Sequence, residues 1–343
     1  MTTNKIKAVL VGCGGIASVW VDAINEFDDV EIIGVVDTNP DSAEKMSEKS
    51  KDSPICYKDI DKALKEQSPQ AVFDCTPPEI HKTVAQKAFE NGCHLLGEKP
   101  ISTDIASAKK MVEQANNAGV TYAVIQNRRY DKNIITCRDT IKSGCIGKIT
   151  TVNADFYIGA HFGGFRDQMA NVLLADMAIH TFDQARFLAD CDPVSVYCHQ
   201  WNPEGSWYKG DASAIAIFEM TKGIVFTYRG SWCSEGMNTT WESDWRIIGT
   251  KGSILWDGAE NLRGEKADGN EGFTYPQKPL EIQETEIAHA GHGGVIREFI
   301  DCIKSGQKPQ TICDDNIKSF AMVEAAIKSA ETGKKIFIKD ILR

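Results

Sequence analysis

Hydrophobic residues along this chain come in two textures, short unbroken runs and longer stretches where they recur every three or four positions. Residues 5–11 (Lys-Ile-Lys-Ala-Val-Leu-Val) form a run of the first kind, which predicts a strand buried on both faces. A helical period follows through Trp20, Val21, Ile24 and Phe27. The couple then repeats: strand 30–36, a helix opened by Pro40-Asp41, helix 61–66, strand 71–75, helix 80–90 closed by Asn91-Gly92, and strand 94–96. A helix over 104–118, capped by Ser102 or Thr103 and ended by Gly119, leads to strand 121–125. Strands alternating with helices in this way predict a doubly wound parallel sheet.

Beyond Gln126 the texture changes. A helix over 132–143 stops at Gly144, residues 149–157 alternate as a strand, and 173–188 read as a strongly amphipathic helix. Strands then follow one another at 194–200, 212–220, 224–232, 241–248 and 253–256, with a Lys222-Gly223 turn. Residues 264–279 read as a glycine-rich, charged loop, helices are expected at 294–304 and 314–331, and a last strand at 335–338. Consecutive strands joined by short turns predict an open, mostly antiparallel sheet in a second, α+β domain. A length of 343 residues suits two cores.

Composition alters this picture little. Hydrophobic residues make up 42% and charged residues 25%, with no apolar run long enough to span a bilayer. The net charge of -10 and the lack of a clustered basic patch argue against a nucleic-acid surface. Eleven cysteines without any Cys-x-x-Cys pair fit neither a disulfide framework nor a zinc knuckle, so reduced thiols are expected. Cys75, Cys93 and Cys198 lie inside apolar strands, where a thiol acts as a small hydrophobe. Residues 1–5 carry no charged-then-apolar signal pattern, which leads to the expectation of a cytoplasmic location.

Candidate chemistry gathers at three places. Gly12-Cys13-Gly14-Gly15-Ile16-Ala17 joins the first strand to the first helix in the pattern Gly-x-Gly-x-x-Ala. Gly12 suits the tight turn, Gly14 lets backbone approach a pyrophosphate, and Ala17 allows close helix packing; Gly15 and Ile16 lie within the same turn. The helix N-terminus there favours anions. Asp37 ends the second strand about twenty residues on, where a carboxylate meets the adenosine ribose. It accepts bonds from both ribose hydroxyls and repels a 2′-phosphate, and Thr38-Asn39-Pro40 add no positive charge, so NAD is expected over NADP. Asp37 and Asn39 also suit capping of the helix opened by Pro40.

The second place is His94-Leu95-Leu96-Gly97-Glu98-Lys99-Pro100, where an apolar strand ends in a carboxylate, an amine and a proline. Ligands bind outside the carboxyl ends of the strands of such a sheet, so Lys99 is placed to present its ammonium to one, with Pro100 stiffening the backbone. Thr76-Pro77-Pro78 and His81 follow the neighbouring strand and are expected to border the cofactor cleft, although His81 suits a helix-start cap equally well. The third place is Asp176 and His180, four apart on one helix face. A carboxylate beside an imidazole fixes its tautomer and raises its basicity, as a general base requires, and a plain structural pair has the same spacing. No further ligands stand at zinc spacing, and no metal is expected.

These motifs, with Asn127-Arg128-Arg129-Tyr130, resemble in order and spacing the Gfo/Idh/MocA oxidoreductases, which include glucose-fructose oxidoreductase and inositol dehydrogenase. The likeness extends to His292-Gly293-Gly294, Phe299-Ile300-Asp301, Pro309 and residues 329–333. It implies a Rossmann dinucleotide-binding domain over 1–126 and a substrate-binding domain over 127–343, whose open sheet joins subunits into a homodimer or homotetramer. It also implies catalytic roles for Lys99, Asp176 and His180. His180 takes the hydroxyl proton while hydride leaves the same carbon for the nicotinamide, Lys99 hydrogen-bonds the substrate oxygen, and Asp176 orients His180 or a neighbouring hydroxyl. Thr76, Pro77, His81, Glu98, Lys99 and Asn127 fall beside the cofactor, and Arg128 beside the substrate. One departure is Met169-Ala170-Asn171-Val172-Leu173-Leu174, where many members are glycine-rich before the Asp.

For the substrate, Trp201, Trp207, Trp232, Trp241 and Trp245 occur in the second domain along with Tyr157, Tyr208, His161 and Arg166. Aromatic faces pack on the C–H faces of sugar rings while His and Arg bond hydroxyls, which points to Tyr157, His161 and Arg166 as contacts. About half of the tryptophans are expected in the core. No dense cluster of Arg and Lys accompanies them, so an uncharged sugar, glycoside or cyclitol is expected rather than a sugar phosphate. The competing expectation is a catalytically silent NAD-binding regulator or sensor; the joint presence of Lys99, Asp176 and His180 favours the dehydrogenase.

Overall fold

The structure, a computed structural model, describes residues 5–343. Residues 1–4, on which the expectation about a signal pattern partly rests, lie outside the described residues. Two compact units are present: one takes the described residues up to Tyr130 and returns with Ala288–Ile317, and the other comprises Asp131–Ile287 and Lys318–Arg343. The single boundary drawn at 126/127 differs from this division, because the helical period near residue 300 carries no sign of which sheet it covers.

The first unit begins with β1 (Ile6–Val11), α1 (Gly15–Asn25), β2 (Val30–Val36), α2 (Pro40–Lys49), β3 (Ile55–Tyr57) and α3 (Ile60–Gln67). It continues with β4 (Ala71–Asp74), α4 (Pro78–Glu90), β5 (His94–Gly97), α5 (Ile105–Ala118) and β6 (Tyr122–Val124). All six strands are parallel, in the order β3-β2-β1-β4-β5-β6. The order reverses between β1 and β4, which is where doubly wound sheets open a ligand crevice. β4 is buried along its whole length, as its unbroken apolar run requires. α5 is capped by Asp104, whose side chain accepts from Ser107 N at 2.8 Å, and not by Ser102 or Thr103.

The second unit holds α6 (Lys132–Lys142), β7 (Ile149–Tyr157), α7 (Ile179–Ala189), β8 (Pro193–Trp201), β9 (Ser213–Met220), β10 (Val225–Ser231), β11 (Asp244–Gly249) and β12 (Gly252–Trp256). β13 (Leu262–Ala267) and β14 (Gln277–Pro279) lie where a loop was expected; none of their side chains is fully buried, so no apolar alternation marks them. The chain closes with α8 (Gly291–Ser305), α9 (Cys313–Thr332), β15 (Ile336–Phe337) and α10 (Ile338–Leu342). Nine strands form one sheet in the order β14-β13-β12-β11-β7-β10-β9-β8-β15, antiparallel except for the β7–β10 pair.

One face of that sheet packs on α7, whose Phe182 meets Phe218 at 4.9 Å and Tyr228 at 5.3 Å. Every residue of α7 is buried, so the polar side of the amphipathic helix expected over 173–188 does not face water there. Its polar side chains are paired instead: Arg186 donates to Ser319 and Asp192, Ser319 to Asp183, and Gln184 to Glu242. The other sheet face exposes Tyr197, Ile215 and Ile217. In the first unit α8 covers α1, placing Val295, Ile296, Phe299 and Ile300 in one core with Trp20 and Phe73. No helix of the described residues is long and apolar enough to cross a membrane.

Candidate active site

The glycine turn forms as expected. Gly12 adopts φ +86, and a Cβ there would lie 2.8 Å from the backbone C and O of Cys75, so β1 can pass the end of β4 only without a side chain. At Gly14 and Gly15 a Cβ would meet nothing within 4 Å. α1 starts just after Gly14 with no side-chain cap, leaving its first N–H groups directed at that open space, a fit for a pyrophosphate. Ala17 is fully buried and Ile16 exposed.

Asp37 is fixed beside the turn: Cys13 N donates to its Oδ2 at 2.7 Å and Asn39 N to its Oδ1 at 2.8 Å. A carboxylate keeps further lone pairs for ribose hydroxyls while held this way. Burial, with Asp37 next in weight, pushes the Cys13 thiol up to about 12, so it is a neutral thiol. β3, which sequence reasoning missed, brings the Tyr57 carbonyl to Asp37 N at 3.1 Å, with Lys58 next in the chain. Asn39 does cap α2, its side chain accepting from Asp41 N.

At the ends of β4 and β5 a second network forms. Thr76 N and Oγ1 both donate to Asp74 Oδ1, at 3.0 and 2.6 Å, and burial raises the Asp74 carboxyl above its ordinary range. Both ring nitrogens of His81 lie 2.9 Å from backbone carbonyl oxygens, those of Pro100 and Thr76, and the side chain is buried. His81 therefore braces the two strand ends. Glu98 accepts from Trp20 Nε1 at 2.8 Å and from Lys99 N at 3.2 Å, with His292 Nε2 3.8 Å away. Glu98 is thus buried beneath the strand end, and Lys99, half-buried, follows it on a cis peptide bond to Pro100. Pro77 stands at the start of α4. Asn127 and Arg128, both half-buried, open the short helical turn Asn127–Tyr130, whereas Arg129 is buried against Asp315 and the Gln310 carbonyl.

In the second unit Asp176 lies in a π-helical turn, Leu173–Ala178, running into α7, where His180 is buried in the first turn. Such turns recur at functional sites. Arg166 Nε donates to Asp176 Oδ2 at 2.6 Å, a pair between two residues that sequence reasoning named without joining. His161 stacks on Trp207 at 3.6 Å and its Nε2 lies 2.7 Å from Glu235 Oε1. Tyr157 shares the open sheet face with Asp155 and Arg229, opposite the face that α7 covers. Trp232 and Trp245 are core, Trp201 stacks on His199 along β8, and Trp241 stays exposed. All eleven cysteines are free, and no cluster of His, Cys, Asp and Glu among the described residues could hold a metal ion.

A parallel sheet reversing at an uncapped glycine turn, followed by a unit built on a large mixed sheet, defines a two-unit protein whose first half binds a dinucleotide. Family comparison agrees: residues 6–126 match the oxidoreductase family with an NAD-binding Rossmann fold, and residues 134–255 match the GFO/IDH/MocA C-terminal domain. The chain belongs to the Gfo/Idh/MocA oxidoreductase family. It is 26% identical to the inositol 2-dehydrogenase of Rhizobium meliloti, over 97% of this chain and 99% of that one. It is 23% identical to the D-apiose dehydrogenase of Paraburkholderia graminis, over 99% and 92%. The crystal structure of an oxidoreductase from Agrobacterium radiobacter in complex with NAD+, L-tartaric acid and magnesium matches with a TM-score of 0.86 at 22% identity, covering 98% of this chain and all of that one. At that identity the likeness is one of fold.

Proposed function

We propose that the protein is an NAD-dependent dehydrogenase acting on a secondary hydroxyl of an uncharged sugar, glycoside or cyclitol. The observation that carries this reading is Lys99 at the carboxyl end of β5, beside β4, whose end crosses the glycine turn. An amine stands there where a sheet of this order holds its dinucleotide. The relatives named inositol 2-dehydrogenase and D-apiose dehydrogenase support the substrate class.

The turn at Gly14 and Gly15 with the first N–H groups of α1 would hold the pyrophosphate, and Asp37 the adenosine ribose. NAD, once bound, supplies the hydride acceptor. Lys99 donates a hydrogen bond to the substrate oxygen as negative charge grows on it, and His180 takes the hydroxyl proton. Asp176, anchored by Arg166, orients its neighbours in the π-helical turn. Self-association belongs to the same reading: the exposed Tyr197, Ile215 and Ile217 suit a second copy of the chain, and light scattering that returns the monomer mass at micromolar concentration would contradict it.

The test of function is an NAD-reduction screen of free sugars, glycosides, inositols, sugar phosphates and simple hydroxy acids. Best turnover on an uncharged sugar, glycoside or inositol is expected. Best turnover on a hydroxy acid or a sugar phosphate would contradict the substrate reading, and NAD binding without turnover across the panel would leave a cofactor-binding regulator.

A further inference from the structure

Beside Asp176 the second unit carries an aromatic surface larger than one reacting ring requires. Arg166, bonded to Asp176, lies against two phenyl rings, its Cζ 4.7 Å from the centroid of Phe165 and 4.9 Å from that of Phe162. Phe162 continues to Trp241 at 6.1 Å and is propped edge-on by the buried Trp232 at 5.3 Å. Phe165 is 67% exposed, Phe162 46% and Trp241 45%.

The backbone presents these rings outward. Gly163 and Gly164 both adopt φ +69, which glycine reaches without strain, and Phe165 follows in the short turn Gly164–Gln168. Three large apolar rings held in water beside an ion pair form a patch of the kind that marks a ligand groove. At its edge are the Arg166 guanidinium and the His161–Glu235 pair. Apolar rings rimmed by hydrogen-bonding groups match a pyranose, which has C–H groups on its face and hydroxyls at its rim. Arg166 is matched by Asp176, and the charge of Glu235 faces His161, so the surface lacks the excess positive charge that a uronate or phosphate needs.

We propose that Phe162, Phe165 and Trp241 form a second-ring subsite, so that the preferred substrate is a glycoside or disaccharide whose uncharged, non-reacting ring stacks on them. The inference rests on the reading that Asp176 and His180 face the reacting carbon. A ring bonded to Asp176 leaves the platform, one guanidinium farther out, to whatever that ring carries.

The experiment is calorimetric titration of the NADH-saturated protein with matched pairs: glucose and cellobiose, xylose and xylobiose, mannose and mannobiose. It is run on the wild type, Phe165→Ala and Phe165→Trp, since a residue this exposed can be truncated without disturbing the core. In the best-bound pair the disaccharide is expected to bind at least about tenfold more tightly than its monosaccharide, with most of that advantage lost in Phe165→Ala and kept in Phe165→Trp. Equal affinity within every pair, or an advantage that survives Phe165→Ala, overturns the subsite; turnover of a free sugar in that case leaves the dehydrogenase reading standing. No binding of any sugar overturns the subsite and the sugar reading together.

Discussion

Replacing Glu98 by glutamine alters the chemistry at one atom and almost no volume. The carboxylate accepts at both oxygens, from the indole of the fully buried Trp20 at 2.8 Å and from Lys99 N at 3.2 Å. An amide offers one oxygen, so its NH2 must face one of those donors. The indole bond is shorter, so the oxygen is expected to stay with Trp20 and the NH2 to oppose the Lys99 N–H. One bond to a charged acceptor is lost at Lys99 N, about 1.5–3 kcal/mol. For a unit of this size about 2–4 °C of Tm goes with each kcal/mol, so Glu98→Gln is expected to lower the first unit's melting temperature by about 3–12 °C. Scanning calorimetry at neutral pH reads this directly. Because the Lys99-Pro100 segment loses its anchor, kcat is expected to fall more than the affinity for NAD. A Tm shift under about 1 °C with normal kcat would refute the claim that Glu98 holds the strand end.

Three further outcomes follow from the geometry. Asp37→Ser combined with Thr38→Arg is expected to move cofactor preference from NAD toward NADP; tighter calorimetric binding of NADP by the unaltered protein would contradict the role given to Asp37. Gly12→Ala places a methyl group 2.8 Å from the Cys75 backbone at φ +86, so a loss of at least about 2 kcal/mol and of NAD binding is expected, and a variant that melts and binds as the wild type does would show that the turn can relax. Hydrogen bonding from Arg297, assisted by Lys304, holds the Asp29 carboxyl well below its usual range. A depressed carboxyl stabilises the fold above its unfolded pKa and loses that contribution as pH falls, so Asp29→Asn is expected to cost about 1 kcal/mol at pH 7 and progressively less below pH 4, as urea unfolding at several pH values would read. A pH-independent difference would contradict the pairing.

The parallel sheet was legible because strands buried on both faces are unbroken apolar runs, and the glycine turn because its residues are local in the chain. β3 has three residues, two of them exposed, and so left no run to read. β13 and β14 escaped for the same reason. Trp20 and Glu98 are 78 positions apart, a pairing that neither periodicity nor spacing signals. Arg166 and Asp176 are only ten apart, but the passage from a tight turn into a π-helical one obeys no single period. Tyr157 could have been placed by parity alone, since it alternates with Asp155 and not with the buried Phe156. His81 was open between two roles on sequence, and neither signalled that its two ring nitrogens also meet carbonyls of two strand ends.

The central claim is that Lys99 and His180 carry proton and charge during oxidation of a secondary hydroxyl. Single-turnover NADH formation on the best substrate of the screen, measured for the wild type, Lys99→Ala and His180→Ala at saturating NAD, tests it most directly. Each variant is expected to form NADH at least about a hundredfold more slowly, with little change in NAD affinity. A near-normal rate in either variant would remove that residue from the mechanism.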